Sequence, residues 1–262
     1  MDTLTAPAGA PTVRRCVTDG DVVAAKLLDD MCFPEHKHVG WDTYAAIHER
    51  GVTMVAEAGD EPVAQGQAAA AAAVTEDGPQ VLSRLPARHG MLTGGSVRPD
   101  WRGRGLHRNL VRARLRYLQL HGCAYAMTHV RVENVASVTN LLAVGFVATT
   151  VDHAAYGPES DLRSHRLVTV AALDHHLSDD QPTAPFVDAD GPSVAVRVRH
   201  HRDVDHEARD VIERMMARGW VAHATRPSPE YGTYDLVLAP LVNNHAAANL
   251  TDATRELEQA AA

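Results

Sequence analysis

Apolar positions recur along the chain with two different periods, and each period predicts a type of element. Short alternating or continuous apolar runs, bounded by Gly, Pro or Asp, predict strands. Apolar residues three and four positions apart predict helices with one buried face. The predicted strands are 13–17, 52–58, 63–67, 91–97, 124–132, 147–151 and 167–173, and the predicted helices are 18–32, 41–49, 106–121 and 137–144.

Six consecutive alanines at 68–73 leave two interpretations open. Intrinsic propensity favours a helix, whereas the strand before them favours a hairpin that continues through them.

A stretch rich in Asp and Pro, 175–192, predicts a linker. Beyond it the pattern predicts a strand, an amphipathic helix, a second strand and a terminal helix, so that the region contains a small β-α-β unit. The apolar face of its helix is too wide for an isolated unit, which predicts docking onto the rest of the chain or onto a twin chain. No internal repeat stands out. The predicted elements of this region are 194–200, 206–220, 234–241 and 251–262.

The division of the chain follows from these patterns. We expect a flexible N-terminus (1–12), a main domain (13–174), the linker and a C-terminal α/β region (193–262).

Composition narrows the classes of partner. The formal net charge is -8, which argues against general nucleic-acid binding. No apolar run approaches the ~20 residues that span a bilayer, and the N-terminus does not resemble a signal peptide.

Three widely spaced cysteines, Cys16, Cys32 and Cys123, predict reduced thiols in a cytoplasmic protein. The His- and Asp-rich run 200–207 lacks a metal-ligand spacing, so we expect no metal.

Glycine and arginine concentrate just before the predicted helix 106–121. Gly103 and Gly105 allow positive φ and a close approach of the backbone to a ligand. The first N–H groups of a helix attract anions, and Arg102 and Arg104 add positive charge. The segment therefore predicts a phosphate-binding site. We interpret the arginines after position 110 as an ordinary solvated helix face.

Two motifs resemble the GCN5-related N-acetyltransferase (GNAT) superfamily. Val97-Arg-Pro-Asp-Trp-Arg102-Gly-Arg-Gly105-Leu-His107 is similar to the family's pyrophosphate motif, Arg/Gln-x-x-Gly-x-Gly/Ala, except that His107 stands where the family has Gly or Ala. Asn134-x-x-Ser137, followed by Gly145-Phe146, is similar to a second family segment.

The resemblance implies an α/β (α+β) fold, a GNAT-type mixed and splayed sheet flanked by helices, with the C-terminal unit appended. The fourth and fifth strands would diverge at a bulge, for which Gly94-Gly95 is suited, and pantetheine would enter the cleft. The implied co-substrate is acetyl-CoA or another acyl-CoA. Its implied binding residues are Ser96, Val97, Arg98, Arg102, Gly103, Arg104, Gly105, Leu106, His107, Arg108, Asn134, Ser137 and Asn140.

The implied function is N-acylation of a small-molecule amine by direct attack in a ternary complex. The C-terminal region would dimerise the enzyme, cover the acceptor site or form a separate ligand-binding unit, and we expect a homodimer. Many family members carry a Glu on strand four and a Tyr seven residues after the Asn. Here those positions hold Thr93 to Ser96 and Leu141, so neither group is present.

Candidate catalytic residues are therefore Thr93, His129 and Ser137. Thr93 with His129 also fits a second interpretation, a GNAT-fold malonyl-thioester decarboxylase or carrier-bound acyltransferase. A third interpretation is a non-catalytic acyl-CoA-binding module. The acceptor-site candidates are Glu35, His36, His38 and Tyr156.

Overall fold

One mixed sheet organises the protein. The computed structural model describes residues 10–32, 40–70, 88–152, 166–173, 187–188, 190–199, 205–242, 252 and 255. The strands are β1 (Thr12–Arg15), β2 (Gly51–Ala58), β3 (Glu61–Ala70), β4 (His89–Val97), β5 (Tyr125–Arg131), β6 (Val147–Asp152), β7 (Arg166–Ala172), β8 (Val194–Arg199), β9 (Trp220–Pro227) and β10 (Thr233–Pro240). Their order in the sheet is β1-β2-β3-β4-β5-β7-β6-β9-β10-β8.

Helices cover both faces of this sheet. They are α1 (Asp19–Cys32), α2 (Trp41–Arg50), α3 (Leu106–Leu120), α4 (Val135–Leu142) and α5 (His206–Met216). Successive strand residues point to opposite faces. Accordingly Leu92 shares a core cluster with residues of α3, α4 and α5, whereas Met91 packs in a cluster with Ile47 of α2. The mixed α/β fold with flanking helices is the predicted one.

Strands β4 and β5 run parallel and separate after a short contact. They pair at His89↔Tyr125, Gly90↔Ala126 and Met91↔Met127, and the described pairing stops there. The predicted divergence of these two strands is therefore present, and it leaves an opening beside the second half of β4.

The opening coincides with a β-bulge. Gln65 of β3 pairs with Ser96, and Gln67 pairs with Thr93, so β4 carries one residue more than β3 over this interval. Gly94 has a φ of 54°, a left-handed conformation that glycine adopts without strain. The expected bulge at Gly94-Gly95 is confirmed.

The hairpin interpretation of the alanine run is correct as far as the described residues reach. Strand β3 continues through Ala68, Ala69 and Ala70, which are buried. Burial in a sheet overrides the helix propensity of alanine. Residues 71–73 lie outside the described part of the chain.

The C-terminal region differs from the β-α-β prediction by one strand. The predicted helix 206–220 ends at Met216, and Gly219, with a φ of 81°, turns the chain into β9. Strand β9 joins β6 at Ala148↔Ala222, so this region extends the main sheet. The predicted docking onto the first domain is thus observed. Most of the predicted linker and terminal helix lies outside the described residues.

The same region repeats the topology of the segment before it, although the sequence predicts no repeat. The segment β5-α4-β6-β7 places its strands in the order β5-β7-β6, all antiparallel. The segment β8-α5-β9-β10 places its strands in the order β8-β10-β9, again all antiparallel.

Candidate active site

The start of α3 forms an exposed concave turn of backbone. Gly103 and Gly105 have φ values of 76° and 75°, which a residue with a Cβ rarely adopts. Gly105 is the N-cap, and no side chain of the described residues caps the helix there. The first N–H groups of α3 therefore remain available to an anion, which the helix dipole also favours.

Three arginines near this turn differ in the groups that they contact. Arg102 is exposed and its Nε donates to the carbonyl oxygen of Val97 at 3.1 Å. Arg104 lies over the ring of Trp101, with Cζ 4.4 Å from the ring centroid. Arg98 is paired with the carboxylates of Asp100 and Glu61, and the hydrogen bond to Asp100 raises the pKa of Arg98. Its charge is thus already balanced by two carboxylates, and its contact with the co-substrate stays a prediction.

The second motif lies beside the first. The side-chain oxygen of Asn134 accepts a hydrogen bond from the Ser137 N–H at 3.3 Å and so caps α4. Further along α4 the side-chain oxygen of Asn140 lies 3.5 Å from the Nη2 of Arg108 on α3. The two predicted motifs therefore meet through Arg108 and Asn140, next to the opening between β4 and β5.

Arg114 of α3 is buried behind the bulge, which corrects the interpretation of the later arginines as a solvated face. Its side chain is 2% exposed. Nη1 donates to the carbonyl oxygens of Gly94 at 2.9 Å and of Thr93 and Gln67 at 3.3 Å each. No carboxylate of the described residues pairs with it, and burial lowers the pKa of Arg114 to about 10. The missed signal is its spacing of four residues from both Leu110 and Leu118, which puts it on the apolar face.

Gly66 makes the room that Arg114 occupies, and Gly95 makes room for His107 beside it. A Cβ added at Gly66, opposite the bulge, would lie 2.7 Å from the Arg114 Cζ. A Cβ added at Gly95 would lie 3.7 Å from the Arg114 Nη2 and 3.1 Å from the Nε2 of His107. The absence of a side chain at Gly95 therefore accommodates His107 at the position where the family has Gly or Ala. Burial lowers the pKa of His107 to about 4, with a further contribution from the nearby Arg114 charge.

Thr93 and His129 face the same side of the sheet. Each lies two residues beyond the paired Met91 and Met127, and side chains two apart on a strand share a face. The Thr93 Oγ1 is buried and has no hydrogen-bond partner among the described residues. Ser137 lies on α4, which covers the opposite face, so it is not grouped with these two.

A buried polar network lies on the side of α1 and α2, next to the bulge. The Tyr44 hydroxyl donates to the Gln65 Oε1 at 3.0 Å. The Gln65 Nε2 donates to the Asp29 Oδ1 and to the Ser96 Oγ, both at 2.8 Å. Burial raises the pKa of Tyr44. Of this network the sequence predicted Ser96 alone; Gln65, a polar residue in an apolar strand, was the available signal.

The acceptor-site candidates Glu35, His36, His38 and Tyr156 lie outside the described residues. In the described part of the chain, no group of three or more His, Cys, Asp and Glu residues is placed to hold a metal ion. Of the helices described, none has both the length and the apolar character needed to cross a membrane.

A family model decides what this arrangement belongs to. The Acetyltransferase (GNAT) family model matches residues 23–146, which include the bulge, the glycine turn and the Asn134 cap. These residues form a GNAT acetyltransferase domain. The family carries out acyl-CoA-dependent acetyl transfer, so the prediction of a GNAT-type acyltransferase is confirmed. Among curated proteins, none matches the sequence significantly.

Solved structures of acetyltransferases are similar to part of the chain. The ribosomal-protein-S18-alanine N-acetyltransferase from Escherichia coli is 20% identical, with a TM-score of 0.45, covering 62% of this chain and 94% of its own. YncA from Salmonella typhimurium, solved with its cofactor acetyl-CoA, is 16% identical, with a TM-score of 0.47 and coverages of 65% and 98%. An IAA acetyltransferase from Bacillus cereus is 14% identical, with a TM-score of 0.46 and coverages of 62% and 99%.

Proposed function

We propose that the protein is an acyl-CoA-dependent N-acyltransferase that transfers an acetyl group to a small-molecule amine by direct attack in a ternary complex. The observation that carries this proposal is the opening between β4 and β5, which has the bulge at Gly94-Gly95 on one side and the glycine turn of α3 at its end. The turn suits a diphosphate, and the free edge of β4 suits an extended amide-containing arm.

The bulge supplies donors for the thioester carbonyl. Arg114 holds the carbonyl oxygens of Thr93 and Gly94 on the side of α3. In a planar trans peptide the N–H points opposite to the C=O, so the N–H groups of Gly94 and Gly95 point away from Arg114. These N–H groups stabilise the negative charge that develops on the carbonyl oxygen during attack.

The acyl group passes directly from the thioester sulfur to the amine, without a covalent enzyme intermediate. The amine nitrogen bonds to the acyl carbon, the carbon–sulfur bond breaks, and the proton lost by the amine is available to the thiolate. The acceptor reaches the site from the side of α1 and α2, where Gln65 links Asp29, Tyr44 and Ser96. Thr93 and His129 lie on this side as candidate groups for proton transfer.

A second candidate function is decarboxylation of a malonyl thioester, or acyl transfer from a carrier-bound thioester. It is favoured by the buried Thr93 Oγ1, which has no partner among the described residues, and by His129 on the same face. A hydroxyl and an imidazole at these positions suit a carboxylate and the enolate left after loss of carbon dioxide.

The compartment is part of the same proposal. Cys16, Cys32 and Cys123 are free and buried, which supports a protein of the reducing cytoplasm. The small-molecule amine and the homodimer are implied by the resemblance alone, and the absence of a resident metal is predicted from the spacing of residues 200–207.

The test incubates purified protein with acetyl-CoA and with malonyl-CoA, each with and without a library of amines, and identifies the products by mass spectrometry. Acetylated amine with free CoA supports the transferase, and amine-independent conversion of malonyl-CoA to acetyl-CoA supports the decarboxylase. Binding without turnover indicates a non-catalytic module. Absence of binding to either thioester overturns the proposal.

Variants make this test specific to the glycine turn. Arg102→Ala and Gly105→Val are expected to weaken acetyl-CoA binding, the first by lost charge and the second by strain at positive φ. Arg116→Ala is the matched control, because Arg116 is exposed on the same helix away from the turn.

A further inference from the structure

The two segments with the same topology also share a fine detail of register. In the first, Ala148 pairs with Thr169 and Thr150 pairs with Val168, so Thr149 is an extra residue. In the second, Ala222 pairs with Leu238 and Ala224 pairs with Val237, so His223 is the extra residue. Each bulge comes immediately after the alanine, Ala148 or Ala222, that pairs with a strand of the other segment.

Local sequence agrees with this correspondence. Each helix is followed by Gly-aromatic-Val-Ala, at Gly145 to Ala148 and at Gly219 to Ala222. Each helix is capped by a side chain that accepts a hydrogen bond from the backbone N–H three residues later. Asn134 accepts from the Ser137 N–H at 3.3 Å, and Asp205 accepts from the Ala208 N–H at 3.2 Å. Shared topology, bulge, cap and tetrapeptide identify a repeated unit.

The two units meet through equivalent strands. Ala148 of β6 pairs with Ala222 of β9, and the strands are antiparallel. Because equivalent residues face each other, an approximate two-fold axis passes between them, as in an isologous contact between subunits. In the described sheet β9 covers the side of β6 that faces away from β7, which would otherwise be an exposed strand edge.

The second unit also contacts the loop between β5 and α4 through an ion pair and hydrogen bonds. Arg209 of α5 forms a two-point ion pair with Glu133, with Nε–Oε1 and Nη2–Oε2 distances of 2.9 Å each. The two residues are 5% and 3% exposed. The Asp205 N–H donates to the same carboxylate at 3.2 Å, and the hydroxyl of Tyr234 donates to the Val132 carbonyl oxygen.

We infer that the C-terminal unit is a diverged second copy of β5-α4-β6-β7 that takes the place of a second subunit, so that the chain acts as a monomer and not as the homodimer that the resemblance implies. Arg209 and Tyr234 are then positioning residues for the loop carrying Asn134. Glu133 and Val132 immediately precede Asn134, so fixing them fixes the start of α4. The effect on acyl-CoA rests on the proposed function; the bracing of the loop does not.

The test compares Arg209→Met, Tyr234→Phe and Arg197→Met with the unaltered full-length chain. Arg197→Met is the matched control, because it breaks a partly exposed pair with Asp235 inside the same unit. Hydrogen exchange of residues 131–137, the acetyl-CoA dissociation constant and the mass in solution are measured at a temperature where each variant is folded. Tyr234→Phe keeps the test decisive if Arg209→Met does not fold.

We expect faster exchange at 131–137 in both test variants, an acetyl-CoA dissociation constant raised about tenfold by Arg209→Met and about fivefold by Tyr234→Phe, and no change in the control. The unaltered chain should sediment as a monomer of 28.3 kDa. Unchanged exchange in Tyr234→Phe overturns the brace, and a dimer overturns the replacement of a subunit. If the unaltered chain binds no acyl-CoA, the proposed function fails while exchange still decides the brace.

Discussion

The Nη1 of Arg114 lies 2.9 Å from the carbonyl oxygen of Gly94 and donates a hydrogen bond to it. A buried guanidinium commonly faces a carboxylate, but here backbone oxygens of β3 and β4 accept from it. The charge of Arg114 therefore remains uncompensated by any described carboxylate, directly behind the proposed binding position of the thioester.

Replacement of Arg114 should lower turnover more than it lowers acyl-CoA binding. We expect Arg114→Leu to reduce kcat by about 100-fold, the size of effect seen when one oxyanion donor is lost. Arg114→Lys should recover part of it, and Arg112→Leu, at an exposed position of α3, should change nothing. Steady-state kinetics and acetyl-CoA titration measure this. A folded Arg114→Leu enzyme with unaltered kcat would contradict the role.

Gly66→Ala should disturb the same guanidinium from the opposite side. The added Cβ would lie 2.7 Å from the Arg114 Cζ, so we expect a loss of about 1–3 kcal/mol in the free energy of unfolding. Gly40→Ala is the control, since a Cβ there meets nothing within 4 Å. In the Arg114→Leu background the cost of Gly66→Ala should shrink, and equal costs in urea melts of both backgrounds would refute the coupling.

His107 should make the protein sensitive to acid. Its pKa is about 4 in the folded state, against an ordinary value near 6.5, so the unfolded chain binds the proton more readily. The stability contributed by neutral His107 is complete above pH 6.5 and is lost as the pH falls towards 4. His48 and His223, whose pKa values burial also lowers, act in the same direction.

Urea unfolding at pH 7.5 and pH 5 measures this effect. Relative to the unaltered chain, His107→Ala should lose less stability between the two values, by about 1–2 kcal/mol. Identical pH dependence in the variant would show that His107 is protonated normally in the fold.

Thr93→Val should separate stability from function. The Thr93 Oγ1 is buried without a partner among the described residues, so removing the hydroxyl should leave the melting temperature unchanged or raise it. A catalytic hydroxyl predicts loss of activity in the same variant. Calorimetry and the product assay together decide this, and a clear fall in melting temperature would reveal a structural hydrogen bond instead.

The main domain was predictable because its signals are local. The period of apolar residues located α3, and Gly94-Gly95 located the bulge, since both depend on residues close in sequence. The burial of Arg114 was not predicted, because the space for its side chain is made by Gly66 on strand β3, far away in the sequence. The network around Gln65 likewise joins α1, α2, β3 and β4, and no short motif records such a meeting.

The repeat was not predicted from the sequence for a different reason. Beyond Gly-aromatic-Val-Ala, the two copies share topology and register more than residue identity, because a strand tolerates any side chain that fits its face. The turn at Gly219 was hidden by an apolar helix pattern that extends through Trp220.

An approximate two-fold contact inside one chain has a consequence for evolution and kinetics. In a homodimer every substitution appears on both sides of the axis, whereas duplicated units drift independently, as Thr149 and His223 show at equivalent positions. One copy has kept the loop next to the glycine turn, while the other has become its support. Such a chain carries a single catalytic centre, so its saturation curves should be hyperbolic, without communication between sites.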